Sequence, residues 1–174
     1  MQWSQVTVPS PSASASASTS TFSSQPHPVP TPTIKNHSVT LYNNKLYVFG
    51  GYDGRKNHNS LRTFDCSTME WSHVSDVGGR LPPGRNGHTA TLAGSSIIII
   101  GGWLGSGPLA ADDCWSLDLH DPDCPHWSQL PALGSPPGPC NMHSSDYVES
   151  LGSVFVFRGG NGREYLNDLH RLNV

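Results

Sequence analysis

Charge is scarce in this 174-residue chain. Charged side chains make up 13% of it, against roughly a quarter of an ordinary globular domain. The ten Lys and Arg residues are scattered, with only Arg55 and Lys56 adjacent, and the net charge is −3. That excludes the basic footprint of a nucleic-acid binder or of a protein held to an anionic membrane. Long hydrophobic runs are missing as well. The longest aliphatic run is Ile97 to Ile100, far too short to cross a bilayer. Cysteine is sparse. Cys66, Cys114, Cys124 and Cys140 show no C-x-x-C pair and no regular spacing, which argues against a disulfide framework and for a reducing compartment. The N-terminus has neither the basic start nor the apolar stretch of a secretory signal. The expectation is an intracellular protein, cytoplasmic or nuclear, with no nucleic-acid partner and no membrane. The Asn36-His37-Ser38 sequon is short and carries little weight there.

What the chain does have is glycine (18) and proline (15), the mark of many short turns and of some unstructured sequence. Residues 7–33 include Ser12-Ala-Ser-Ala-Ser-Ala-Ser and the Pro-rich stretch Pro26 to Pro32. Such sequence offers too little apolar area to offset the entropy of ordering it, so it reads as a disordered low-complexity linker. Ahead of it, residues 1–6 form an isolated island, Met-Gln-Trp-Ser-Gln-Val.

From residue 34 to 174 the chain repeats itself. Three apolar strands each run into a glycine pair: Gly50-Gly51, Gly101-Gly102 and Gly159-Gly160. The first glycines lie 51 and 58 residues apart. A histidine precedes each strand, at His37, His88 and His143. After each pair come a polar loop and a second set of matched strands, Asn59 to Asp65, Asp112 to Asp118 and Asn167 to Asn173. Tryptophan strands follow twice, Trp71-Ser-His-Val74 and Trp127-Ser-Gln-Leu130. Four short antiparallel strands at a period near fifty describe one blade of a propeller. A lone blade cannot bury both faces, so blades must stack.

These residues resemble the kelch-repeat family. The likeness rests on the glycine pairs, on Tyr47 ahead of the first pair, on the Trp71 and Trp127 spacing, and on Pro82-Pro-Gly-Arg-Asn-Gly-His88. It implies an all-β kelch-type β-propeller with three four-stranded blades, either a partial propeller or part of a larger ring. The expected blades are 34–78, 82–133 and 136–174, the last incomplete. In the repeat, glycine permits backbone angles that side chains forbid, and tryptophan supplies apolar area between blades.

The third unit departs from the pattern. Cys140 stands in line with Arg85, and Met142 with Gly87. Arg158 falls in line with Phe49 and Ile100, which puts a charge at an apolar place. The unit also ends before any tryptophan strand, whereas Trp3 belongs to a tryptophan strand without a blade. Trp3 therefore completes the third blade of this chain, the same blade of a second chain, or a blade upstream. Closed propellers need four to eight blades, so self-association is one way to finish the ring.

Chemistry finds little support. Cys114, His120, Cys124 and His126 are close in sequence but fit no zinc spacing, and no metal or other cofactor is expected. There is no Gly-x-Ser-x-Gly elbow, no thiol at a helix start and no phosphate-binding glycine loop. Binding remains. Loops on a rigid scaffold carry recognition, and Tyr, Trp and Arg dominate interface energy. Tyr52, Arg55, Arg85, Trp103 and Arg163 are the candidates for contact with another protein. For Arg85 the competing role is an inter-blade hydrogen bond, and for Trp103 a cover over a blade end. The leading reading is a non-catalytic interaction module or scaffold, and the resemblance adds the substrate adaptor of a ligase. The alternatives are a kelch-type metal-dependent enzyme or specifier, or an incomplete inactive gene product.

Overall fold

A computed structural model describes residues 33–105, 109–110 and 113–174. The expectations for Trp3 and for most of the 7–33 tract lie outside the described residues. The first sheet contains β1 (Ser38–Tyr42), β2 (Lys45–Phe49), β3 (Leu61–Asp65) and β4 (Glu70–His73), in that spatial order. The second holds β6 (Thr89–Ala93), β7 (Ser96–Ile100), β8 (Cys114–Asp118) and β9 (His126–Leu130), with the two-residue β5 (Gly78–Gly79) added outside β9. The third has β10 (Ser144–Val148), β11 (Ser153–Phe157) and β12 (Leu169–Asn173). All pairings are antiparallel except β5 with β9. This is the meander expected of each blade. The third and eighth strands begin two residues later than the sequence reading had them, and so does the twelfth. For the last two the cause is plain: the preceding Asp113 and Asp168 turn their side chains to arginines instead of joining the ladder.

Hairpin turns set the register. Asn43 and Asn44 both adopt positive φ (45° and 62°), the geometry that matches the twist of flanking strands. The third hairpin is longer: its four connecting residues, 149–152, contain a single 3₁₀ turn. The glycine pair is displaced separately, lying six residues after Ser153 against five after Lys45 and Ser96. In the bridges Lys35↔Tyr52, Asn86↔Trp103 and Asn141↔Gly160, Gly159 takes the place of Gly51 and Gly102. Arg158 takes the place of Gly50 and Gly101. The expected alignment of Arg158 with Phe49 and Ile100 is thus corrected by one residue, and Phe157 holds that apolar place.

Alternation along the strands decides which blade each side chain faces. Tyr47, Phe49 and Leu61 of the first blade meet Ile97, Ile99, Trp115, Leu117 and Trp127 of the second in one buried cluster. Ile98 and Ile100, on the opposite face of β7, meet Val154 and Val156 of the third blade. β7 is apolar on both faces because it is covered on both. The innermost strands are linked by repeated bonds: the Thr40 hydroxyl donates to Ala90 O (3.1 Å), and the Thr91 hydroxyl to Ser145 O (3.2 Å).

Candidate functional site

A second repeated link fixes the rim. His88 Nε2 lies 2.9 Å from Ser38 Oγ of the preceding blade, and His143 Nε2 lies 3.0 Å from Thr89 Oγ1. Gly51 N–H donates to Arg85 O, and Gly102 N–H to Cys140 O, both at 2.8 Å. Burial pushes the His88 imidazole down to a pKa of about 3, helped by the Arg85 charge, and that of His143 to about 4. Both rings are held neutral between blades, as desolvation requires.

The loops after β2, β7 and β11 all leave from this rim. Tyr52 and Trp103 hold corresponding positions in the first two. Their rings are 6.5 Å apart, and Lys35 Nζ sits 5.9 Å from the Tyr52 ring centroid. Asn57 Nδ2 donates to Trp103 O at 2.8 Å, tying the two loops together. Trp103 is 37% exposed. Its other side faces the third blade across a cleft of about 570 Å³, lined by Trp103, Leu109, Pro139, Arg158, Asn161 and Arg163 among others. Three consecutive blades therefore contribute to one surface.

Arg55 and Arg163 occupy equivalent corners of the outer two loops. Asp53 Oδ1 accepts the N–H groups of Arg55 (2.8 Å) and Lys56 (2.9 Å), and Asn161 Oδ1 accepts those of Arg163 and Glu164, both at 2.9 Å. Each is a local turn closed by a short polar side chain, and both arginine side chains are exposed. The Lys56 and Arg55 amides, with His58, hold the Asp53 carboxyl well below the usual carboxylate range.

Arg85 departs from the expectation of a contact residue. It is 0% exposed. Its guanidinium donates to both oxygens of Asp113 (2.9 and 2.7 Å) and to Gly101 O (3.0 Å). It anchors the loop from beneath and offers no surface to a partner. Arg158 does the corresponding work in the third blade from a different backbone position. It donates to Asp168 Oδ2 (3.1 Å) and, weakly, to Pro139 O (3.4 Å). Cys140 leaves room for that exchange, since the arginine at its place in the second blade is gone. Arg158, Leu109 and Pro139 are cleft residues that sequence reasoning missed. The signal for Arg158 was its charge beside a glycine pair, read one position out of register.

Burial pushes the Cys114 and Cys140 thiols up, to about 12 and about 11, so they behave as packing residues. Among the described residues no three His, Cys, Asp or Glu side chains converge as metal ligands would. No described helix is long and apolar enough to cross a membrane.

Stacked antiparallel meanders around a shared inner edge, locked by glycine and histidine at each junction, define an array of propeller blades. The family model of the KLHDC2/KLHL20/DRC7 Kelch-repeats domain matches residues 16–174, and the chain belongs to the kelch-repeat family. Acyl-CoA-binding domain-containing protein 5 of Arabidopsis thaliana is 30% identical over 79% of this chain and 20% of its own length. Putative adagio-like protein 2 of Oryza sativa subsp. japonica is 33% identical over 80% of this chain and 22% of its own. Leucine-zipper-like transcriptional regulator 1 of Mus musculus is 31% identical over 67% and 13% respectively. The chain thus spans less than a quarter of the length of these relatives. Kelch-repeat domains serve generally as protein-interaction modules.

Proposed function

We propose that this chain is a non-catalytic protein-binding module whose partner lies against the rim formed by Tyr52, Trp103 and the Arg163 loop. The observation that carries the reading is the Trp103 side chain. It is packed near Tyr52 on one side and opens on the 570 Å³ cleft that Arg163 also lines. A partly exposed aromatic anchored by its neighbours, with a cation across a cleft, is the composition of a binding hot spot. Arg55 extends the same surface on the first blade. Arg85 and Arg158 support it from below. In a longer protein this module acts as a scaffold or as the substrate-recognition arm of a ubiquitin ligase. That finer role rests on the family resemblance alone.

The test is affinity capture with the wild-type chain and with a Trp103→Ala/Arg163→Ala variant, circular dichroism confirming that both fold. Proteins retained by the wild type and lost by the variant support the reading. Retention that is unchanged sinks it. Elemental analysis of the same preparation checks the enzymatic alternative: stoichiometric metal would replace the binding reading with a metal-dependent one.

A further inference from the structure

The chain contains two Asn-Gly pairs, Asn86-Gly87 and Asn161-Gly162. Such a pair can close on itself: the glycine nitrogen attacks the asparagine side-chain carbonyl, and only glycine leaves that nitrogen without a Cβ beside it. The fold treats the two pairs differently. Asn86 is 5% exposed. Its Nδ2 donates to Asn57 Oδ1 (2.8 Å), its Oδ1 accepts from Asn36 Nδ2 (3.3 Å), and the Gly87 N–H donates to Asn36 O (2.9 Å). Both reacting groups are tied down. Asn161 is half-buried and Gly162 exposed, in the loop after β11. The Gly162 N–H has no hydrogen-bond partner among the described residues.

The turn also prepares the carbonyl. Asn161 Oδ1 accepts the N–H groups of Arg163 and Glu164, both at 2.9 Å. Negative charge develops on that oxygen as the nitrogen adds to Cγ, and amide donors already in place stabilise such an oxyanion. The first blade shows how the same turn holds a carboxylate. Asp53-Gly54 occupies it there, with Gly54 at φ 96° against 89° for Gly162. Asp53 Oδ1 accepts from the Arg55 and Lys56 N–H groups at 2.8 and 2.9 Å. An aspartate therefore fits this geometry as well as an asparagine does.

We propose that Asn161 is a deamidation site that turns a neutral amide on the rim into a carboxylate. The Gly162 nitrogen forms a bond to Cγ and gives its proton to water, the Cγ–Nδ2 bond breaks, and ammonia leaves. Water then opens the cyclic imide, at the side-chain carbonyl to give aspartate or at the backbone carbonyl to give isoaspartate. Water is the only reagent consumed. One negative charge is added, so the net charge goes from −3 to −4. The hydrogen bond from Asn161 Nδ2 to Glu164 Oε1 (3.2 Å) is lost. Two carboxylates then face each other, and their repulsion turns the Glu164 side chain away. Asn161 and Arg163 both line the cleft beside Trp103, so the new charge alters the surface assigned above to a partner; that consequence alone rests on the binding reading.

Peptide mass spectrometry of the full chain, held at mildly alkaline pH both folded and in urea, tests this without any partner. In the folded chain the peptide carrying Asn161 gains a carboxylate while the one carrying Asn86 keeps its amide. In urea both convert. Gly162→Ala slows conversion of Asn161 roughly tenfold or more, because a methyl group shields the nucleophile. Asn161→Asp unfolds at a midpoint close to that of wild type, as the Asp53 turn implies. Conversion of Asn161 only in urea, equal conversion of both pairs in the folded chain, or an unchanged rate in Gly162→Ala overturns the proposal. A large fall in the Asn161→Asp midpoint shows that the turn rejects the product and overturns it as a change the folded rim can carry.

Discussion

The His143 ring stands over the α-carbon of Gly101. A Cβ built on that glycine would lie 2.7 Å from the imidazole Cε1 and 2.5 Å from Cys140 O. Gly50 meets His88 in the same way, at 2.7 Å. Both glycines have positive φ, 65° and 70°. Gly101→Ala is expected to destabilise the chain by about 2–4 kcal/mol, combining left-handed backbone strain with overpacking. Gly94→Ala is the control. It has a similar φ of 61° but nothing within 4 Å of the added methyl, so only the strain remains, about 1–2 kcal/mol. Urea unfolding of the two variants separates the contributions.

The same rings make stability depend on pH. His88 and His143 are depressed in the folded state, to about 3 and about 4, from 6.5. Above 6.5 both states are neutral and nothing is gained or lost. Below 6.5 the unfolded chain takes up protons that the folded chain refuses, so stability falls with falling pH, down to about pH 4 for His143 and about pH 3 for His88. Each histidine contributes a slope approaching 1.4 kcal/mol per pH unit. The charges near His88 are Arg85, His143 and His37, all disfavouring its protonation. Unfolding midpoints of wild type and His143→Gln, measured from pH 7 to pH 4.5, are expected to diverge in slope. Parallel lines would show that the ring is not held neutral.

Much of this architecture was legible in sequence, because glycine pairs, histidines and tryptophans each answer a local steric or packing demand that recurs at every junction. The hairpins and their order followed from that periodicity. The register of the third blade did not. Its hairpin is two residues longer, and the eye aligns Gly159-Gly160 with the earlier pairs, whereas the ladder aligns Arg158-Gly159. The cleft was invisible for the same reason: Arg158 and Pro139 reach the rim only once that shift is known. Trp103 and Arg163 were chosen by residue type alone. Arg85 was open to two readings, a contact residue or an inter-blade hydrogen bond, and nothing in its neighbours announced Asp113, 28 residues away, as its partner.

The two arginine–aspartate pairs should differ sharply in worth. Arg85 and Asp113 have side chains 0% and 22% exposed, and the pair is bidentate. Arg158 and Asp168 are more open, Asp168 at 43%. Removing one member of a buried pair strands the other charge, at a cost of about 3–5 kcal/mol. An exposed pair is worth about 0–1 kcal/mol. Asp113→Asn is therefore expected to lower the denaturation midpoint far more than Asp168→Asn. Equal effects would mean that Arg85 finds another acceptor.

Trp127 and Trp71 offer a test of which blade faces are covered. Trp127 is 1% exposed and sits between the first two blades. Trp71 holds the same place on the first blade, where it packs on Phe64 at 5.1 Å and is only half-buried. Trp127→Ala removes a full core contact and should cost about 3–5 kcal/mol. Trp71→Ala loses contact on one side only and should cost about half that. Trp127→Phe should recover most of the loss, because Nε1 has no hydrogen-bond partner among the described residues and the aromatic area is what the site uses. If Trp71→Ala proves as damaging as Trp127→Ala, the outer face of the first blade is covered in solution, and a concentration-dependent midpoint would identify a second copy of the chain as the cover.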